Sequence, residues 1–368
     1  MKGKRLLVLL TLLLAGSALG GCGFKDIDKR FFVVAMSVDP SGKEDKKYLV
    51  TVKLAIPSPS EKFGSNQYTL VSEDTDSIAQ AVRIIKSKVD KELDLGHLKA
   101  IVIGRELVEK GNMDEVMDWF VRRRDIQNIA WVAAGVPDGR SILDLRPPTE
   151  RLPSNMLFMS FGQVGTETAY IVSEYLFDFR RRLRERGLDP ILPIVESRGD
   201  QQVAINKVAL LDKNKMRLVL DPLDTKIFNS FYQGIGKYDI QIRQDQGYFI
   251  ISADNVKGSF TIENVQGKTV ITLKPHIHGI IEEATSPISK TELAKYERQA
   301  EQEIKERALQ FVKRLQQANI DPIGFGLRYR ARHPGNPDHV WKKWVELYPE
   351  VEFRVQPHVR LTSTGQLG

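Results

Sequence analysis

The chain has 368 residues, 42% of them hydrophobic and 27% charged, with 27 Gly, 17 Pro, a single Cys and a formal net charge of +7. That composition is globular: too apolar for a disordered chain, and too poor in Gly and Cys for a collagenous or disulfide-built one. The length suits two or three domains of roughly 100–200 residues, and one Cys excludes both an intramolecular disulfide and a Cys-rich metal cluster.

Residues 1–21 read as a signal peptide. Lys2, Lys4 and Arg5 form a positive start, Leu6 to Leu14 an almost unbroken apolar run, and Ala15 to Gly21 a stretch of small residues. The run is shorter than the about 20 residues a transmembrane helix needs, and the segment after the leader is polar. Leu19-Gly20-Gly21-Cys22 resembles a bacterial lipobox, which makes Cys22 the expected lipid-attachment residue. The alternative is an ordinary secreted protein, cut elsewhere, with a spare thiol. Of the 54 basic residues three lie in the leader, so the mature chain keeps an excess of four over its 47 acidic residues. That excess suits an anionic membrane surface, and an exported chain is not expected to meet nucleic acid. Two acyl chains anchor durably where one does not, because each buried CH₂ contributes about 0.8 kcal/mol. The expectation is an ectodomain on the outer face of the cytoplasmic membrane, with the outer membrane as the alternative in a diderm.

Residues 22–30 are a lipidated tether. Phe31 to Val38 and Tyr48 to Ile56 then read as an antiparallel hairpin, with Val50, Val52, Leu54 and Ile56 on one face, and residues 57–67 as a surface loop. A helix is expected through Ile78, Val82, Ile85, Val89 and Leu93, capped by Thr75 or Asp76. The order of a strand at Lys99 to Ile103, a helix at Met113 to Arg123 capped by Asn112, and a strand at Ile129 to Ala134 predicts a right-handed crossover in a partly parallel sheet. An extended loop over Arg146 to Ser154 precedes a helix from about Glu167 to Arg186, ended by Gly187 and by Pro190 and Pro193. The Pro-bounded stretch 187–202 marks the end of an N-terminal mixed α/β domain, 31–200.

Within a β-rich middle domain, 201–282, Val203 to Leu211 and Met216 to Leu220 flank the turn Asp212-Lys213-Asn214-Lys215. A short helix at Asp224 to Tyr232 precedes strands at Tyr238 to Arg243, Tyr248 to Ser252, Gly258 to Asn264 and Thr269 to Glu282. The C-terminal domain, 283–368, opens on the capping box Ser289-Lys290-Thr291-Glu292 and an apolar stripe from Leu293 to Leu315. This long helix is expected across one face of an antiparallel sheet in which Thr269 to Glu282 neighbours a final strand, Val351 to Leu361, after a helix at Val340 to Leu347. The fold class is thus mixed α/β (α+β) in three domains, without internal repeats.

Signs of catalysis are missing. There is no HExxH, P-loop, GxSxG or paired CxxC, although Ser/His/Asp arrangements are fold-dependent and stay open. His276 and His278 would share one strand face but lack a nearby third ligand, so neither metal nor cofactor is expected. Gly324 and Gly326 come after a helix rather than open one, and read as a turn. Arg180, Arg181, Arg182, Arg184 and Arg186 are the candidate membrane or partner contact, set against a solvated helix end favoured by the dipole.

Several segments together resemble one family. Leu95-Gly96-His97-Leu98-Lys99-Ala100-Ile101-Val102-Ile103-Gly104 and Trp119-Phe120-Val121-Arg122-Arg123-Arg124-Asp125-Ile126 resemble the Ger(x)C family, the C subunits of nutrient germinant receptors of endospore-forming bacteria. Asp26-Ile27 and Val38-Asp39 fit its start, and Asp321-Pro322-Ile323-Gly324-Phe325-Gly326, Trp341-Lys342-Lys343-Trp344 and Tyr348-Pro349-Glu350-Val351 its end. Members usually have Trp after the lipid-bearing Cys, where this chain has Gly23-Phe24, and a Gly before the Asp at position 39. The resemblance implies three mixed α/β domains and a non-catalytic lipoprotein working with integral-membrane A and B subunits on the spore's inner membrane. From the residues alone, a solute-binding lipoprotein of a transporter and a cell-wall hydrolase are the alternatives.

Overall fold

The computed structural model describes residue 3 and residues 29–56, 68–148, 154–164, 167–199, 201–244 and 247–364. The rest of the expected leader, Cys22, the expected loop 57–67 and residues 149–153 of the second expected loop lie outside these. Among the described residues no helix is long and apolar enough to cross a membrane.

The expected hairpin is β1 (Arg30–Pro40) with β2 (Tyr48–Ala55), and Val38 faces Val50 in its register. β3 (Tyr68–Thr75) extends it antiparallel. No sequence expectation covers β3, because Ser72, Glu73 and Asp74 break any apolar alternation. α1 (Ile78–Lys86) stops short of the predicted end at Leu93. Leu93 sits instead in β4 (Glu92–Asp94), paired in parallel with Arg30 to Phe32, so a tertiary strand pairing overrides the helical spacing of Val89 and Leu93.

β5 (Ala100–Gly104), α2 (Arg105–Lys110), α3 (Met113–Arg122) and β6 (Trp131–Val136) form the predicted parallel crossover. Asn112 stands at the start of α3, though its side chain makes no cap. α4 (Gly139–Asp144) and α5 (Asn155–Gly162) cover one face of the sheet. α6 (Leu176–Arg184) is much shorter than the helix expected from Glu167. The preceding residues run alongside β6, where Val132 N donates to Glu174 O and Tyr175 bridges to Trp131.

β7 (Ile191–Arg198) occupies the stretch read as a domain boundary, and β8 (Gln202–Leu211) pairs with it antiparallel across residue 200. β9 (Met216–Leu220) closes the expected hairpin. The nine-stranded sheet runs β3-β2-β1-β5-β6-β7-β8-β9, with β4 on β1; its centre is parallel and its flanks antiparallel. Period-2 alternation divides its faces. Ile101 and Ile103 face α1, α2, α3 and α6, whereas Ala100 and Val102 face α4 and α5.

After α7 (Pro222–Tyr232) come β10 (Tyr238–Gln244), β11 (Gly247–Val265) and β12 (Lys268–Ala284). β11 unites two strands expected as separate, and register shifts absorb its polar interruptions. α8 (Leu293–Gln317) lies across the sheet, with α9 (Phe325–Arg332), α10 (Pro337–Leu347), β13 (Glu352–Val355) and β14 (His358–Leu361) after it. The last two strands neighbour β12 as expected but run parallel to it, so the five-stranded sheet is mixed rather than wholly antiparallel. The expected division at 282 and 283 falls inside β12, before the helix that packs on this sheet.

The two sheets share a core. Ile191, Val208 and Leu220 from the first, with Val172 of the segment before α6, meet Phe228 of α7, Ile271 and Leu273 of β12, and Phe311, Phe325 and Trp344 of the C-terminal helices. At roughly 25 cal/mol per Å² of apolar area, such a seam opposes independent motion of the halves.

Candidate functional site

α6 carries the arginine run, and its members have different fates. Arg182 is 3% exposed. Its Nε donates to Asp178 Oδ2 at 3.0 Å, and its Nη1 reaches the carbonyls of Asp189 and Pro322, each at 3.0 Å. Its guanidinium also stacks over Tyr232, 4.9 Å from the ring centroid. Burial therefore removes Arg182 from the expected surface contact. The exposed Arg181, Arg184 and Arg186 pair with Asp178, Asp114 and Asp338 respectively, while Arg180 is exposed without an ion pair among the described residues.

Around Arg182 the acids divide the charge. Asp178 is drawn below the usual carboxylate range by Arg182 and Arg181, against the opposing effect of its burial. Glu174, fully buried with Arg182 Nε 3.7 Å away, is pushed up to about 8, chiefly by desolvation. It accepts from Tyr232 Oη at 2.8 Å, and burial pushes that phenol well above its ordinary value. One cation and one anion thus form the ion pair, and Glu174 stays largely protonated at neutral pH. Neither Glu174 nor Tyr232 is among the candidate site residues read from the sequence; an acid set among Ile171, Val172 and Leu176 was the available signal.

The second buried acid is Asp321. Its Oδ1 accepts from Gly324 N and Phe325 N and its Oδ2 from Gly326 N, at 2.6–2.9 Å. The glycine pair therefore does open a helix, α9, contrary to expectation, but the chain's own carboxyl fills the anion-binding position. Asp321 N donates to Asp189 Oδ2, and Lys213 Nζ lies 3.2 Å from Asp189 Oδ1. Burial raises Asp321 to about 7 despite its three donors. The approach is close: a Cβ on Gly187, whose φ is +80°, would lie 2.4 Å from the Gly326 carbonyl carbon, and one on Gly326 2.3 Å from Trp344 Nε1. The remaining C-terminal motif closes the same hub. Tyr348 Oη donates to Ile320 O, and Gln316 Nε2 reaches the carbonyls of Tyr348, Pro349 and Val351.

Asp39 plays the corresponding part at the carboxyl ends of β1, β5 and β6. Ser37 Oγ, Gly139 N and Arg140 N donate to it, so it caps α4 from 100 residues away. Burial raises its pKa. Gly104 leaves room for it, since a Cβ there would lie 2.2 Å from Asp39 Oδ1. A small crevice beside it is lined by Leu49, Arg105, Glu106 and Asp138, in the position where open α/β sheets hold ligands.

A second cleft, about 540 Å³ including its open mouth, runs between α7, β10 and α8. Only about 40 Å³ of it is open to the centres of water molecules, enough for a few waters. Lys226, 4% exposed, donates across it to Asp239 O and Oδ2 at 2.8 Å. His276 and His278 are exposed on one face of β12, and His358 stands opposite His276. Among the described residues no three His, Cys, Asp or Glu side chains are grouped to hold a metal. The arrangement is one of buried caps and ion pairs that fix two sheets together.

Two family models match in tandem. One, described as Spore germination protein N-terminal domain, covers residues 23–197, and the other, Spore germination B3/ GerAC like, C-terminal, covers 206–365. Spore germination protein B3 of Bacillus subtilis (strain 168) is 23% identical over 376 residues, 95% of this chain and 96% of that protein. Spore germination protein GerQC of Bacillus cereus is 25% identical over 284 residues, 74% and 76% of the two chains. The crystal structure of the GerBC protein shares the fold, with a TM-score of 0.60 at 16% identity over 89% of this chain and 98% of that one. With both models in order along the chain and the mixed α+β fold in common, this protein belongs to the Ger(x)C family of spore germination proteins.

Proposed function

We propose that the protein is the lipid-anchored C subunit of a nutrient germinant receptor, acting by assembly with integral-membrane A and B subunits and not by catalysis. The observation that carries this reading is the tandem family match over both halves of the chain, with relatives that are spore germination proteins. Cys22 receives the lipid and holds the ectodomain on the outer face of the spore inner membrane. Confinement there raises its effective concentration near its partners, so weak contacts suffice. Of the arginine run, Arg180, Arg181, Arg184 and Arg186 remain available to such a partner or to the membrane. A solute-binding lipoprotein is the weaker reading, because it calls for two similar lobes about one cleft, and the nine- and five-stranded sheets are unlike.

The test is deletion of the gene in a strain without sibling receptors, with nutrient-triggered loss of spore refractility as the readout. The deletion should abolish the response and the wild-type gene restore it, whereas Cys22→Ala should leave the protein out of the membrane fraction and restore it poorly. An undiminished response in the deletion strain refutes the assignment; membrane retention of the Cys22→Ala protein refutes the anchor.

A further inference from the structure

The parallel pairing of β1 with β4 and β5, and of β5 with β6, puts the amino ends of these four strands on one edge of the sheet. Large apolar side chains stand exposed there: Ile129 is 59% exposed, Phe177 48% and Phe158 36%. They belong together. Phe177 N donates to Asn128 O at 3.0 Å, beside Ile129; Phe177 stacks on Tyr175 at 5.6 Å, and Tyr175 on Trp131 at 3.9 Å. Trp131 contacts Phe161 of α5, the helix that also carries Phe158. The rings are thus held rigidly from beneath, with their outer members in solvent.

Cations frame this patch. Lys99 lies 5.9 Å from the Phe158 ring centroid, and Arg180 comes three residues after Phe177 on α6, hence on the same helix face. Arg124 lies two residues past the end of α3, in the connection that leads to the amino end of β6; it and Arg180 are exposed and make no ion pair among the described residues. Aromatic and aliphatic tips beside unpaired cations match the boundary of a bilayer with anionic headgroups. The chain's path agrees. β1 begins at this edge, at Arg30, and the seven residue-to-residue steps from Cys22 to Lys29 span at most about 25 Å.

We propose that this edge is the face that rests on the bilayer, with Ile129, Phe158 and Phe177 entering the headgroup region of an anionic phospholipid surface and Arg124 and Arg180 meeting its phosphates. This rests on the lipid-anchor reading above. The opposite edge, which carries the β1–β2 turn with Asp45, then points away from the membrane.

The chain's only cysteine is the proposed lipid carrier, so an introduced cysteine takes a label uniquely. Full-length lipidated protein carrying Ile129→Cys, Phe177→Cys or, as control, Asp45→Cys is labelled with an environment-sensitive fluorophore and reconstituted into phosphatidylcholine vesicles with phosphatidylglycerol and nitroxide-labelled lipid. Labels at 129 and 177 should be quenched severalfold more than at 45, and Arg124→Glu with Arg180→Glu, or omission of phosphatidylglycerol, should lower that quenching. Equal quenching at all three positions, or stronger quenching at 45, overturns the proposal. So does shielding of 129 and 177 that arises only when integral-membrane subunits are added, which would make the patch a protein interface. Mass spectrometry reads the anchor separately: an unlipidated Cys22, labelled as well, refutes the anchor reading itself.

Discussion

Asp321→Asn separates a buried carboxyl from a simple helix cap. Asp321 is 4% exposed, and its pKa in the folded chain stands at about 7 against an ordinary 3.8, because burial outweighs three backbone donors and Asp189 adds repulsion. Between these values the folded chain holds a proton that the unfolded chain has released. The stability contributed by that proton is complete below pH 3.8 and is lost as the pH rises through about 7. A shift of about 3 units at 1.36 kcal/mol each makes the contribution about 4 kcal/mol. The amide cannot titrate, and with one acceptor oxygen in place of two it loses part of the cap, a cost of about 1–3 kcal/mol. Urea denaturation of both proteins between pH 4.5 and 8, a window of roughly the same width as the shift, cancels every other titrating group in the difference. The variant should be less stable at the acid end, with the deficit shrinking toward alkaline pH. A difference that stays constant across the range refutes the argument.

Three further substitutions address the same framework. Arg182→Met leaves Asp178 without its buried partner and the carbonyls of Asp189 and Pro322 without a donor, and should cost about 3–5 kcal/mol in urea denaturation. Gly187→Ala puts a Cβ 2.4 Å from Gly326 at a φ of +80°, whereas Gly267→Ala at a φ of +83° meets open space. The first should lower the melting temperature far more than the second, whose strain alone is about 1–2 kcal/mol. Asp39→Ala strands the N–H groups of Gly139 and Arg140, and should raise protease sensitivity around α4 at a cost of about 2–4 kcal/mol.

Elements with a strong local signature were legible in the sequence. The β1–β2 and β8–β9 hairpins, α3, α7, α8 and α10 lie close to their expected positions, because apolar period and turn chemistry are properties of adjacent residues. The order of motifs named the family for the same reason. Where the reading departs from the structure, a partner distant in the chain decided the outcome. Leu93 became a strand through Phe31, and the residues after Glu167 were straightened beside β6.

The candidate site divides along the same line. Sequence alone determined that a basic and then apolar stretch precedes the single Cys22, that a run of arginines ends a helix, and that Asp321 precedes paired glycines. Only the tertiary structure decided which of those charges face water. Arg182 and Arg180 are near neighbours on α6, yet one is locked against Pro322, 140 residues away, and the other is exposed with no ion pair among the described residues. A helix position fixes where a side chain points; whether it meets solvent, a carboxylate or a carbonyl depends on the chain that folds against it, and that information is not local.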